Sequence, residues 1–290
     1  MRLPVALRLA RISNLPTVWS NVLVGVALAG GAWNDPRLPL VLLSLSLFYT
    51  GGMLLNDAFD REFDARERPE RPIPAGEASA PEVFAFGSGM LGAGLALLLP
   101  GQGGGTASPW GAAGSGLALA ATILLYNVHH KANPLSPLLM GICRMLVYLT
   151  AALAVASSAL PATLYISALV LLCYLAGLTY AAKQEHLDRL DNAWPLLLLA
   201  VPLLYGLDLA RQQPLVLLPL LALLLWSTLS VRRLRRRARG DVPAAVAALI
   251  AGISLLDAML LAGLGQLVPM LLALGAFALT LLAQRRVSGT

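Results

Sequence analysis

LVLLSLSLFYTGGMLLNDAFDREFDARERPERPIPAG, residues 40–76, holds the two features from which the rest of the chain is read. Residues 40–55 carry no charged side chain, and from Asp57 onward acids and arginines alternate densely. An apolar run of about 20 residues covers about 30 Å of hydrocarbon at about 1.5 Å per residue. The stretch therefore reads as a membrane-spanning helix that emerges into a charged loop.

The same pattern repeats along the chain. Of 290 residues, 58% are hydrophobic and only 12% charged, with a mean hydropathy of +0.73. A soluble domain carries about a quarter charged residues, so a soluble fold and a separate soluble domain are excluded. Ten spans are expected, at 14–31, 40–60, 81–99, 110–128, 138–157, 161–181, 193–210, 214–231, 243–264 and 267–283. Prolines mark several starts, among them Pro39, Pro81, Pro137 and Pro214, as suits a residue without an N–H to satisfy. The fold class is an all-α polytopic helical bundle, one integral-membrane unit over residues 1–290. Residues 1–13 form a basic amphipathic segment expected on the cytoplasmic membrane surface. No secretory signal with a cleavage site opens the chain. The glycine run at 101–105 reads as an outer turn, since no strand precedes it.

Charge sets the orientation. With the N-terminus inside, 18 of the 21 basic residues fall in inside loops and tails; Arg37 and Arg211 lie outside and Arg144 lies within a span. This asymmetry follows the positive-inside rule. The net charge of +6 is thus a membrane-orientation feature and not a nucleic-acid signal. A bacterial inner membrane is expected. Cys143 and Cys173 both sit in apolar runs and read as core residues. Most of the acids, eight of 15 between Asp57 and Glu82 and three more at Glu185, Asp188 and Asp191, gather with all three histidines on the same inside face.

Asp57, Asp60 and Asp64 are spaced i, i+3, i+7 and share one helical face. Carboxylates at a helix C-terminus oppose the macrodipole, so such a group calls for a compensating cation. Hard oxygen ligands suit Mg²⁺, which keeps waters and shares phosphate oxygens. Arg68 and Arg71 follow, interleaved with stiffening prolines, and offer planar donors for phosphate; Arg66 fits that reading and simple inside charge equally. Acids that hold a cation beside arginines make a diphosphate site.

With Asn56, Asp57, Asp60 and Asp64 followed by Arg68, Arg71, Pro72, Pro74 and Gly76, the motif N-D-x-x-D-x-x-x-D…R-P-x-R-P-I-P-A-G resembles the UbiA superfamily of intramembrane prenyltransferases. The resemblance covers roughly residues 10–265. It implies a bundle of nine core spans, with 267–283 an added tenth, that opens laterally to lipid. It also implies Mg²⁺ and an isoprenyl diphosphate donor. Tyr126 and Lys131, in LYNVHHKANP, are similar to the family's Tyr and diphosphate-neutralising Lys. In the loop after the sixth span, TYAAKQEHLDRLDNAWP places Tyr180, Lys183, Glu185, Asp188 and Asp191 where the family has D-x-x-x-D. The spacing here is E-x-x-D-x-x-D. One set of metal carboxylates is expected, and the departure, with its KQE, is similar to a UbiA-like branch associated with Ebo-type gene clusters.

The lysines give independent support. The chain uses 19 arginines and two lysines, Lys131 and Lys183, both in these loops. A chain that otherwise chooses Arg places a compact ammonium there. His129 and His130 read as solvated loop residues. Arg144 pays for its place inside a span only by facing a cavity, toward diphosphate, or by joining an ion pair. Asp257, deep in the ninth span, points inward as a structural or acceptor-side group. Asn14 and Asn21 line the cavity or bond between helices. Tyr148, Tyr165 and Tyr174 read as packing or interface residues.

The function expected is Mg²⁺-dependent prenyl transfer from an isoprenyl diphosphate to an aromatic or other small or lipid acceptor. The other reading is a non-catalytic isoprenoid or lipid carrier or transporter on the same bundle. A CDP-alcohol phosphotransferase is disfavoured because Arg61, not glycine, follows Asp60. A repeat-built transporter is disfavoured because no internal repeat stands out.

Overall fold

A computed structural model of the chain describes residues 1–100, 108, 110–131, 133–183, 194–236, 238 and 240–287; side chains of residues 183, 194 and 195 are not described. Among the described residues the structure is all helical, with no strand. A short α1 (Leu3–Leu9) leads to α2 (Pro16–Leu28), α3 (Leu38–Phe59) and the short α4 (Arg61–Glu67). There follow α5 (Ala80–Ala96), α6 (Gly111–His129), α7 (Ser136–Val155) and α8 (Ala162–Lys183). The last four are α9 (Val201–Gln212), α10 (Leu217–Arg236), α11 (Asp241–Gly263) and α12 (Leu267–Gln284). A helix therefore stands at each of the ten expected positions. Among the described residues, seven helical stretches are long and apolar enough to cross a membrane: α3, α6, α7, residues 162–182 of α8, α10 with the turn before it, α11 and α12.

Helix starts are set by proline more than by capping side chains. Proline occupies the first turn of α1, α2, α3, α5, α7 and α9, and none of these helices has a side-chain N-cap hydrogen bond. The tight break between α11 and α12 is closed by Gly265 at φ +69°. There the Gln266 N–H donates to Leu261 O at 3.0 Å and the Gly265 N–H to Ala262 O at 2.9 Å. This is a Schellman turn, which requires the left-handed conformation that glycine takes without a Cβ clash. The α7 C-terminus is capped from across the bundle: Arg37 donates to Ala154 O and Val155 O at 3.2 and 3.0 Å while Asp35 holds its guanidinium. That interaction holds the Asp35 carboxyl below the usual range.

α11 is the central helix, buried over nearly all its length and packed on α2, α8, α9, α10 and α12. On the other side α3 packs on α5 and α6, and α7 links α6, α8 and α2. α2 and α7 cross closely, because a Cβ on Gly25 would sit 2.5 Å from Tyr148 O. That crossing sets the wall on which Thr17, Asn21 and Arg144 meet. α1 is not simply a surface helix: Val5, Leu9 and Ala10 pack on Leu54 and Ala58 of α3 and on Ala78 and Val83. It thereby lays the start of the chain across the end of α3.

Candidate functional site

α3 ends at Phe59 and α4 starts at Arg61, with Asp60 between them as the shared cap. The acidic stretch is thus a helix end plus one short helix. Asp57 and Asp64 are buried, 5% and 3% exposed, while Asp60 and Asp64 line a cavity of about 480 Å³. The helices α2, α3, α6, α7, α8 and α11 all contribute to its wall.

The cavity has two chemically different ends. Its mouth carries Arg11, Asp60, Asp64, Arg68, Arg71 and Lys131. Its body is mostly apolar, with Val18, Phe48, Leu119, Val147, Leu175 and Ile253 among the lining residues and Asn14, Arg144 and Thr179 as polar ones. At the mouth Lys131 Nζ lies 2.9 Å from Asp60 Oδ1, and His130 Nε2 lies 3.3 Å from Asp60 Oδ2. The ammonium also sits 3.5 Å from the centre of the Phe63 ring, a cation–π contact. The Tyr126 ring stacks on His130, 4.9 Å between centroids. Of the adjacent histidines expected in solvent, His129 is exposed and His130 joins the site, because only His130 turns back toward the end of α3.

Asp57 does not line the cavity. Its Oδ1 accepts from Arg11 Nη2 at 3.1 Å and Arg71 Nη1 at 2.9 Å. It positions two arginines at the mouth and is itself held by them. Asn56 is also committed: its Oδ1 accepts from Arg11 at 3.4 Å and its Nδ2 donates to Asn127 Oδ1, whose own amide donates to Gly52 O. Arg71 reaches Asp64 Oδ2 only at 3.8 Å. Burial, reinforced by the like charges of Asp60 and Asp57, raises the Asp64 carboxyl above the usual range despite Arg71. Burial beside Arg11 lowers the Arg71 guanidinium.

The oxygen donors fit a hard divalent cation. Asp60 and Asp64 open on the cavity, although among the described residues no three Asp, Glu, His or Cys side chains converge as a metal-holding group. Glu185, Asp188 and Asp191 lie outside the described residues, as does the side chain of Lys183. Tyr180 is half-buried and does not line the cavity; Thr179, one residue earlier, does. Tyr126, Arg68, Arg71, Arg144 and Lys131 all line it.

Arg11 is the residue that sequence reading missed. It looked like one of several surface arginines, yet it bonds Asn56 and Asp57 and lines the cavity. It is the only non-glycine residue at positive φ among the described residues, φ 42°, ψ 49°. A non-glycine residue in this region carries strain of about 1–3 kcal/mol. The turn is held by Tyr49, whose hydroxyl donates to Arg11 O at 3.1 Å.

Below the mouth lies a buried polar chain. Arg144 donates to Asn21 Oδ1 at 2.9 Å and to Thr17 Oγ1 at 3.0 Å. Asn21 Nδ2 and Ser20 Oγ donate to Asp257 Oδ2 at 2.8 and 2.5 Å, and the Tyr148 hydroxyl donates to Asp257 Oδ1. Tyr148 therefore does more than pack. Tyr174 donates to Leu249 O at 2.8 Å and is fully buried, whereas Tyr165 is exposed. Asn14 lines the cavity and accepts from Gln284 of α12 at 2.9 Å.

Comparison with known proteins agrees with this architecture. The sequence model of the UbiA prenyltransferase family matches residues 18–231. A digeranylgeranylglyceryl phosphate synthase from Methanoculleus marisnigri is 32% identical over 97 residues, 33% of this chain and 34% of that protein. The chain spans about a third of the length of the first curated relatives it matches. Among solved structures, one of a digeranylgeranylglyceryl phosphate synthase in membranes superposes with TM-score 0.61 at 18% identity, covering 91% of this chain and 99% of that one. A UbiA homologue from Archaeoglobus fulgidus bound to DMAPP and Mg²⁺ gives TM-score 0.53 at 15% identity, covering 96% and 98%. With its all-helical fold and a family match over most of its length, this integral membrane chain belongs to the UbiA prenyltransferase family.

Proposed function

We propose that this protein transfers a prenyl group from an isoprenyl diphosphate to an acceptor within the membrane. The observation that carries the reading is one continuous cavity with a cationic, carboxylate-bearing mouth and an apolar body. A diphosphate suits the first and an isoprenyl chain the second. Its volume of about 480 Å³ lies in the range of about 300–1,000 Å³ typical of small-molecule sites.

Lys131, Arg68 and Arg71 bind the diphosphate, with Arg11 as an additional donor from the start of the chain. Asp57 orients Arg11 and Arg71. Asp60 and Asp64 would hold Mg²⁺, with Asn56 and Asp57 behind them; Glu185, Asp188 and Asp191 remain proposed ligands of the second loop. Tyr126, on the cavity wall, and Lys183, whose side chain lies outside the described residues, complete the proposed substrate-binding set, while Tyr180 stands behind the wall next to Thr179. Mg²⁺ supplies charge neutralisation for the departing diphosphate. The allylic C–O bond breaks, and its electron pair leaves with the diphosphate. The acceptor nucleophile donates the pair that forms the new bond to carbon and then loses a proton. The cations at the mouth offset charge on the leaving group, and the apolar body excludes water from the allylic cation.

The excess of basic residues in the loops on this side supports a mouth that faces the cytoplasm across a bacterial inner membrane. The experiment is incubation of membranes holding the protein with isoprenyl diphosphates of several lengths, Mg²⁺ and a lipid extract. Release of diphosphate with a prenylated product is expected. Binding without release would leave a carrier.

A further inference from the structure

The apolar end of the cavity stops at one level. Phe48, Leu119, Val147 and Ile253 of α3, α6, α7 and α11 line it ten to twelve residues in from the mouth-side ends of their helices, about 15–18 Å at about 1.5 Å per residue. Phe48, Leu119 and Ile253 are each 1% exposed, so the space closes on them. On α3 the lining runs one turn further, to Leu45, which is fully buried. A turn beyond Leu119 and Val147, the hydroxyls of Ser115 and Thr150 stand 2.8 Å apart and tie α6 to α7 beneath this level.

Phe48 is the largest side chain there, and its ring is seated on two glycines. A Cβ on Gly94 of α5 would stand 3.0 Å from Phe48 Cδ2, and one on Gly116 of α6 would stand 3.5 Å from Phe48 Cζ. One turn earlier on α3, the Ser44 hydroxyl donates to Gly94 O at 2.7 Å, which fixes α3 against α5 beside the ring. The ring thus fills the space between the cavity and the α5 and α6 glycines. Its truncation would extend the cavity toward Gly94 and Gly116, because a packed interior relaxes only in part around a deleted side chain.

We propose that the Phe48 ring is the floor of the donor-chain channel and sets the longest prenyl group that the protein accepts, at about four isoprenyl units. This rests on the prenyl-transfer reading above and adds the length of the donor chain to it. Asp60 at the mouth and Phe48 are twelve positions apart, about 18 Å along the helix. An extended isoprenyl unit spans about 4.5–5 Å, four backbone bonds against the three that give an amino-acid residue about 3.5 Å. A chain of four units anchored at the mouth therefore ends against the ring, and a fifth would have to displace it. Inserting carbon atoms into a closely packed wall is destabilising.

Full-length protein in detergent micelles with Mg²⁺ is titrated with prenyl thiodiphosphates of two to six units, whose allylic C–S bond resists cleavage. On the wild type, affinity is expected to hold or rise up to four units and to fall about 10- to 100-fold at five. Phe48→Ala is expected to bring the five-unit compound to within about threefold of the four-unit one. Phe48→Leu removes less volume, so it serves if the Ala variant does not fold, and it should recover part of the five-unit affinity. Leu164→Ala truncates a fully buried side chain of α8 that does not line the cavity, and it should keep the wild-type length preference. The proposal is overturned if the wild type binds five and six units as tightly as four, since the chain would then leave the cavity by another way. It is equally overturned if the Phe48 variants shift the preference no more than Leu164→Ala does. Either result leaves the donor reading standing, whereas failure of every thiodiphosphate to bind removes that reading and the proposal with it.

Discussion

Lys131 Nζ and Asp60 Oδ1 stand 2.9 Å apart, joining the end of α6 to the end of α3 across the cavity mouth. The lysine is 35% exposed and the aspartate 14%, so the pair remains open to a ligand. A lysine here offers a compact, rotatable ammonium that can serve the carboxylate and an incoming phosphate in turn.

Lys131→Ala should weaken diphosphate binding by about 10- to 100-fold, the loss of a charge-assisted contact of about 1.5–3 kcal/mol. Lys131→Arg should also impair, because the larger planar group must fit over Phe63. Arg235→Ala, exposed on the last turn of α10, is the control. Titration calorimetry with pyrophosphate and Mg²⁺ reads the difference; equal affinities in all three would remove Lys131 from the site.

Asp57→Ala should destabilise the protein and disorder the mouth together. It leaves Arg11 and Arg71, 20% and 16% exposed, without their shared partner. Loss of one partner of a buried pair costs about 3–5 kcal/mol, and the partial exposure here places the effect at the low end. The measurements are thermal unfolding in detergent and protease sensitivity of residues 1–13. An unchanged midpoint would mean that the arginines find other acceptors.

Asp64→Asn should separate stability from function. The Asp64 carboxyl is raised, so its ionised form is disfavoured in the folded state. Stability at Asp64 therefore falls as pH rises from the unfolded carboxylate range, about 4, toward the folded value, and stays lower above it. The Asn variant, free of ligand, should be more stable than the wild type at neutral pH and lose this advantage in acid. Its Mg²⁺-dependent diphosphate binding should nonetheless be weaker. Midpoints against pH, with and without Mg²⁺ and pyrophosphate, test both halves.

If all ten helices cross the membrane, both termini lie on the same side as the arginine-rich loops. A reporter fused after Thr290 should read cytoplasmic. A periplasmic signal would mean that α12 does not cross, which the Schellman turn at Gly265 would then have to accommodate as a hairpin on one side of the membrane.

The sequence by itself determined the helices, because an apolar run of membrane length satisfies its backbone only within itself, and proline and glycine punctuate it locally. It also determined part of the chemistry of the mouth. Asn56 through Gly76 are contiguous, and their spacing sets Asp60 and Asp64 near each other at the α3–α4 junction, whereas Arg11, Lys131 and the helices that enclose the cavity come from elsewhere in the chain. Lys131 stood out in the sequence by the resemblance of its loop and by its rarity among arginines, and the structure brings it to Asp60.

Only the tertiary structure decided which charges are spent on each other. Arg11 reaches Asp57 across 46 positions in the chain, and Asn21 reaches Asp257 across 236. No periodicity carries such pairings, since they depend on how α2 crosses α3, α7 and α11. For the same reason Asp57 and Asp60 look alike as residues of one motif and part company in space, one holding two arginines behind the wall and the other opening on the cavity. In a low-dielectric interior each buried polar group must be matched individually, and the match is set by side chains that meet only after the bundle has closed.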